Sequence, residues 1–190
     1  MCIRDRLTPD YGFGCKRPTF SNEYLPTFNR EDVSLVTDTI ECVTPEGVRT
    51  ADGVLHELDV LILATGFKTM ERGNAPSFEV QGLSGVELGE WWHEHRYQAY
   101  GGIAVPGFPN LFLSAGPYSG GLNWFDMLEP HVHYIARVMA RARRRGATWV
   151  EVREEAHQRY MADMWRRSEG AVFKSATCGS SMSNQLRPPE

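Results

Sequence analysis

Lys16 and Arg17 stand side by side in Gly14-Cys-Lys-Arg-Pro18, a stretch whose Gly, Pro and Cys content reads as a loop. An arginine keeps its charge at every physiological pH, and a lysine offers a compact charge on a flexible stem. Together they suit the stabilisation of an anion or contact with a phosphate; on a bare surface the same pair would simply be solvated. A second candidate is Thr65-Gly66-Phe67, which closes an apolar run. Glycine there lets the backbone pass close to a ligand where a side chain would collide. A third is Gly116-Pro117-Tyr-Ser-Gly-Gly-Leu122, just before the longest helical pattern. It reads either as a turn ahead of a core helix or as the entry to a helix whose first N–H groups face negative charge.

Other chemistries are less well served. His131 and His133 are two apart on a helical pattern, so their rings point to different sides, and no metal site is expected. Asp126 and Glu129 fit the positive amino end of that helix without any catalytic role. Ser119 lacks a Gly-x-Ser-x-Gly elbow. Cys2, Cys15, Cys42 and Cys178 form no Cys-x-x-Cys pair, which points to reduced thiols rather than a disulfide framework or a zinc site. Trp91, Trp92 and Trp124 are expected in a core or pocket wall.

The elements that must position these residues follow from periodicity. Glu57-Leu-Asp-Val-Leu-Ile-Leu-Ala-Thr-Gly-Phe67 carries no polar face, the pattern of a strand buried on both sides at the centre of a doubly wound parallel sheet. Ligands of such sheets sit beyond the carboxyl ends of the strands, which here means Thr65-Gly66-Phe67. Residues 23–32 predict a short helix or turn, and strands are expected at Val33–Thr37, Ile40–Thr44 and Gly47–Thr50. Asp52-Gly53 is a hairpin signal that makes this part a β-meander. Leu88–Tyr97 is amphipathic, and further strands are expected at Ala99–Val105 and Pro109–Pro117. The best helix runs from Gly121 to Arg145, with Asn123 or Gly121 at its start, Pro130 inside, and Arg141, Arg143, Arg144 and Arg145 against the negative end of its dipole before Gly146. Thr148–Val152 reads as extended, Glu154–Arg167 as a charged helix, and Ala171–Glu190 as a loosely ordered tail.

The chain has 190 residues, 42% hydrophobic and 11% aromatic, enough to bury a core. A net charge of −4 argues against a general nucleic-acid binder, and the arginine run fits its helix end. No run approaches the roughly 18 to 20 apolar residues of a membrane span, and the start lacks a signal peptide's apolar segment, so a cytoplasmic protein is expected. Residues 1–6 show no strand, cap or glycine signal and are set aside as a non-native lead.

Taken in order, Gly14–Pro18, Phe28-Asn-Arg-Glu-Asp-Val33, Gly47-Val-Arg-Thr50, Asp59–Phe67 and Gly107-Phe-Pro-Asn-Leu-Phe112 resemble the class B flavoprotein monooxygenases, with Baeyer–Villiger monooxygenases nearest and flavin-containing monooxygenases beside them. The resemblance covers the carboxyl-terminal part of such an enzyme. It implies an α/β fold of two dinucleotide-binding, Rossmann-like domains, a β-meander and a long carboxyl-terminal helix. On that pattern residues 7–66 are the remainder of the NADPH-binding domain, 67–146 a returning FAD-binding segment and 147–190 a carboxyl-terminal extension. FAD and NADPH are the implied cofactors, and a small organic ketone or soft N/S heteroatom compound, with dioxygen, the implied substrates.

Residue by residue, the resemblance places Arg17 over the flavin, where its charge stabilises the negative flavin peroxide, and Lys16 at the 2′-phosphate of NADPH. It places Thr65, Gly66 and Phe67 beside cofactor, and Gly116, Pro117 and Leu122 at a helix entry aimed at the flavin ring. The family's Gly-x-Gly-x-x-Gly motifs and its Phe-x-Gly-x-x-x-His fingerprint are absent, which leaves a truncated, inactive piece as the alternative reading. Where relatives tend to carry Cys-x-Ser-Trp-Tyr, this chain reads Cys178-Gly-Ser-Ser-Met-Ser-Asn184, so the tail does not define a substrate.

Overall fold

The computed structural model describes residues 3–16, 18–67, 73, 76–119, 123–175 and 178. The chain divides into two compact units, Met1–Asp10 with Arg17–Phe67, and Tyr11–Lys16 with Lys68–Glu190.

The first unit is built on a three-stranded antiparallel meander, β1 (Ile40–Thr44), β2 (Gly47–Thr50) and β3 (Leu55–Glu57), in the order β1-β2-β3. Val43 pairs with Val48, and Val48 in turn with His56. Asp52-Gly53 makes the expected turn: the Asp52 carboxylate accepts from the Thr50 hydroxyl at 2.6 Å and from the Val54 N–H at 3.2 Å, and Gly53 has φ 86°. Those bonds hold the Asp52 carboxyl below its ordinary pKa. Gly47 is obligatory because a Cβ there would lie 2.0 Å from the His56 carbonyl oxygen. Two short helices precede the sheet, α1 (Ile3–Leu7) and α2 (Tyr24–Thr27). α1 includes residues set aside from the sequence, and Arg6 donates to the Leu35 carbonyl at 2.8 Å.

Two expectations fail in this unit. Val33–Thr37 forms no strand. The buried strand expected at 57–67 is also absent: β3 ends at Glu57, and residues 58–67 are irregular, unpaired in any ladder and exposed, with Ile62 at 84% and Phe67 at 92%. A strand buried on both faces needs pairing along both edges and cover above and below. The described sheet supplies neither beyond the bond from Leu58 N–H to the Glu46 carbonyl. The apolar run therefore marks what the segment is suited to bury, not what this chain buries.

The second unit holds the core. α3 (Leu88–His95) begins at Glu87, whose carboxylate accepts from the Glu90 N–H at 2.9 Å. Its Leu88 and Trp92 pack with Tyr97, Ala99, Val105 and Phe108, flanked by Val80, Trp91, Leu111 and Leu113. Trp91 and Trp92 are thus core residues, whereas Trp124 is 52% exposed. Trp92 donates its ring N–H to the Gln98 carbonyl at 2.8 Å, and the Gln98 side-chain oxygen lies 3.0 Å from His157 Nε2. Neither segment expected as a strand forms one: 99–105 is a turn closed by one isolated bridge, Tyr100 to Ala104, and 109–117 is irregular, joined to it by the Leu113 N–H to the Ile103 carbonyl at 2.8 Å. Gly101, Gly102, Gly107, Asn110 and Tyr118 all have positive φ, and these repeated reversals prevent a ladder.

α4 (Trp124–Arg144) carries Asn123 as its cap, accepting from Phe125 N–H at 3.1 Å, with Arg141, Arg143 and Arg144 in its last turn and Gly146 at φ 62° after it. α5 (Glu154–Arg167) buries His157 and Met161. The 148–152 connection is extended through Asn110, which exchanges backbone and side-chain bonds with Val150 at 2.8 and 3.1 Å. A 3-10 turn, Val172–Lys174, follows, and most of the expected tail lies outside the described residues. Among the described residues no helix is long and apolar enough to cross a membrane.

The cysteine expectation is corrected. Cys15 and Cys178 form a disulfide, 163 residues apart in sequence with Cα atoms 5.5 Å apart, while Cys42 is free and exposed. Sequence spacing cannot reveal a pair that only the fold brings together.

Candidate functional site

The turn ahead of α4 is the most constrained backbone in the second unit. Gly116 donates its N–H to the Gly102 carbonyl at 3.0 Å, and Ser119 donates to the Gly116 carbonyl at 3.2 Å. A Cβ on Gly116 would sit 2.6 Å from the Gly102 oxygen and 2.7 Å from Leu113 Cδ1, so this position accepts only glycine. Gly102, at φ 69°, is equally tight: a Cβ there would lie 1.7 Å from Ser119 Oγ. Pro117 is fully buried, and its rigid φ sets the turn.

This tightness leaves one polar atom orphaned. Ser119 Oγ is buried and has no hydrogen-bond partner among the described residues. A buried hydroxyl without a partner costs about 1–3 kcal/mol by protein mutational measures, so it is a natural place for a ligand hydrogen bond.

Next to it, Tyr118 at φ 63° accepts a bond at its hydroxyl from the Trp165 ring N–H, 2.9 Å away. The Arg96 guanidinium lies over the Trp165 ring at 4.8 Å. Tyr100 and Tyr160 approach with ring centroids 5.1 Å apart. Burial raises the pKa of both Tyr118 and Tyr160, so both phenols stay neutral at ordinary pH. α5 is thereby fastened to the turn from which α4 departs. Asn123 satisfies one first-turn N–H of α4, and the others in that turn have no intrahelical carbonyl.

Loop 11–16 belongs to the same unit. Lys16 projects over the Tyr11 ring with Nζ 5.9 Å from its centroid, and its neighbour Cys15 is held by the disulfide. A small cavity of about 70 Å³, lined by residues including Ala104, Phe108, Phe112 and Tyr134, lies against α4. That volume holds two or three waters and is far too small for an organic substrate.

The sequence candidates therefore fare unequally. Gly116 and Pro117 sit at the built turn, and Lys16 is placed on the loop of the same unit. Thr65, Gly66 and Phe67 are exposed in the other unit, with Gly66 at φ 83° and open space around it. Arg17 and Leu122 lie outside the described residues. His131, considered as a ligand, has its Nδ1 2.9 Å from the Ser114 carbonyl. Sequence reasoning missed Gly102, the buried Ser119 hydroxyl, and the Tyr118–Trp165 link. The Gly101-Gly102 pair was the only signal for them in the primary structure.

Comparison with known proteins gives one answer from sequence and structure alike, although no family model matches the chain. It is 37% identical over 150 residues to phenazine N-monooxygenase PhzNO1 of Lysobacter antibioticus, spanning 77% of this chain and 27% of that protein. It is 32% identical over 180 residues to a Baeyer-Villiger monooxygenase of Pseudomonas aeruginosa, spanning 94% of this chain and 34% of the relative. Among solved structures, cyclohexanone monooxygenase bound to epsilon-caprolactone superposes with a TM-score of 0.81 at 30% identity, over 96% of this chain and 36% of that one. OTEMO in complex with FAD and NADP superposes with a TM-score of 0.76 at 29% identity, over 90% and 32%. The chain thus spans about a third of the length of the proteins it matches. With its ordered motifs, its glycine-locked turn before α4 and these likenesses pointing the same way, the chain belongs to the class B flavoprotein monooxygenases.

Proposed function

We propose that this chain is the carboxyl-terminal part of an FAD- and NADPH-dependent monooxygenase that oxygenates a small ketone in the Baeyer–Villiger manner or a soft N/S heteroatom, with dioxygen as co-substrate. The observation that carries the reading is the agreement over nearly the whole chain with cyclohexanone monooxygenase and with a complex holding FAD and NADP. Placement in the cytoplasm is part of the same reading.

The residues present fit the ring end of a flavin and not its pyrophosphate. The orphaned Ser119 hydroxyl and the amino end of α4 offer donors toward an anionic ring edge. Gly116 and Gly102 let the turn pack tightly on itself ahead of α4. No segment of this sequence has the glycine motif that cradles a pyrophosphate on a helix amino end. When bound, the flavin supplies the redox chemistry and the activation of dioxygen.

The protein's own part is positional and electrostatic. Arg17 supplies a charge that no pH change removes, next to the reacting oxygen. Lys16 engages the NADPH 2′-phosphate, and Thr65-Gly66-Phe67 carries the backbone past the cofactor. Gly116, Pro117 and Leu122 set the entry of α4.

The test is to assay the purified chain with FAD and NADPH, alone and co-expressed with the polypeptide that supplies the two glycine motifs. The reading expects a colourless chain that oxidises no NADPH alone, and a flavin-containing assembly that oxidises NADPH. An assembly that forms but never retains flavin would sink it, as would a lone chain that purifies with stoichiometric FAD.

A further inference from the structure

The disulfide ties together two turns that otherwise share little. Cys15 closes the first, donating its N–H to the Gly12 carbonyl at 3.1 Å. Cys178 closes the second, donating to Ser175 at 3.1 Å, while Ser175 donates to Val172 at 3.0 Å. Between them the packing is glycine on valine: a Cβ on Gly12 would meet Val172 Cγ2 at 2.9 Å, and one on Gly14 would meet Cγ1 at 3.6 Å. The second turn is itself anchored, because Lys174 Nζ donates to the Trp165 carbonyl at 3.1 Å and the Trp165 ring bonds Tyr118. A continuous path of bonds thus runs from Cys15 through Cys178, the 3-10 turn and α5 to the turn ahead of α4.

We propose that Cys15 and Cys178 are positioning residues forming a redox clasp, which holds loop 11–16, with Lys16 at its end, in register with the α4 turn of the same unit. This rests on the reading of that loop as the cofactor-contacting one. Opening the clasp is a thiol–disulfide exchange: a dithiol reductant gives two electrons and two protons, the S–S bond breaks to two thiols, and the reductant closes to its own disulfide. Both cysteines are buried, at 1% and 0% exposure, so the exchange proceeds only when the carboxyl-terminal turn lifts. In a thiol-reducing compartment, a pair of this kind serves as a redox sensor more often than as a permanent staple. With the bond broken, the loop loses its covalent tie and keeps the glycine-on-valine contact, so Lys16 is held less firmly.

Lys16-Arg17 also provides the probe, since trypsin cuts after Lys16 but not between Arg17 and Pro18. Peptide mapping of the alkylated, unreduced chain should yield the Cys15–Cys178 linked peptide. Reduction, or the double variant Cys15→Ser with Cys178→Ser, should speed hydrogen exchange of residues 11–16 and cutting after Lys16 by about tenfold or more, with α3 unchanged. Cys42→Ser should leave both rates alone. Absence of the linked peptide, or an unchanged loop on reduction, would overturn the clasp. In the NADPH-oxidising assembly, the double variant should raise KM for NADPH more than it lowers kcat, which a loss of folded protein would not do. If the loop loosens while KM stays constant, the cofactor role of Lys16 falls and the tether itself stands.

Discussion

Replacing Gly102 by alanine tests the geometry of the α4 turn directly. The substitution places a Cβ at φ 69°, a backbone region that costs an L-residue about 1–2 kcal/mol. It also drives that Cβ to 1.7 Å from Ser119 Oγ and 3.3 Å from the Pro117 carbonyl, an overlap worth about 1–3 kcal/mol after relaxation. The sum is about 2–5 kcal/mol, a large part of the stability of a unit this size. At about 2–4 °C per kcal/mol, the unfolding midpoint of the second unit should fall by about 4–20 °C, read by tryptophan fluorescence during heating. Ser119→Ala alone should be neutral or mildly stabilising, because its hydroxyl is buried without a partner among the described residues. Combined with Gly102→Ala, it should recover about 1–2 kcal/mol, since the overlapping Oγ is gone while the backbone strain and the tight contacts at 3.1 Å to the residue 119 Cβ and 3.3 Å to the Pro117 carbonyl stay. A Gly102→Ala protein within about 0.5 kcal/mol of the parent, or an equal loss with and without Ser119, would refute the close approach.

Three further outcomes follow from the same structure. Asn110→Ala removes bonds to Val150 N–H and the Thr148 carbonyl and puts alanine at φ 60°, so it should cost about 2–4 kcal/mol in urea unfolding, whereas Asn110→Gly keeps the backbone and should cost clearly less. Burial lowers the His157 pKa, with Glu154 opposing, so the unfolded chain binds the extra proton; second-unit stability should be full above the unfolded histidine value near pH ~6.5, fall as pH drops toward the depressed folded value, and lose that slope in His157→Gln. Asn123→Ala should destabilise the α4 amino end by about 1 kcal/mol, seen as faster hydrogen exchange of its first turn with the last turn unaffected.

What could be read in advance, and what could not, divides along a physical line. α3, α4 and α5 were legible because their signals are local: apolar spacing, a cap at Asn123, arginines and Gly146 at the far end. β1, β2 and the Asp52-Gly53 turn that leads from β2 into β3 were legible for the same reason. Residues 58–67 were not, because whether an apolar run is buried depends on neighbours that its own sequence does not contain. The 99–117 region was misread as strands because hydrophobic content hid the left-handed positions at Gly101, Gly102, Gly107, Asn110 and Tyr118. The disulfide and the Gln98–His157 contact join residues far apart in sequence, and nothing in either segment announces the other. The turn holding Gly116 and Pro117 was visible in the sequence as a glycine- and proline-rich stretch before a helix, whereas its contact between Gly102 and Ser119 needed the three-dimensional fold.

The most direct test of the central claim is product analysis. The chain, co-expressed with the polypeptide bearing the FAD and NADPH glycine motifs, is given NADPH, dioxygen and a panel of a cyclic ketone, an organic sulfide and an aromatic amine or N-heterocycle, with Arg17→Ala alongside. The account predicts NADPH-dependent insertion of one oxygen atom into a panel member, and a loss of at least about a hundredfold in Arg17→Ala as the charge beside the reacting oxygen disappears. NADPH oxidation with no oxygenated product from any panel member, or product formed equally well without Arg17, would contradict it.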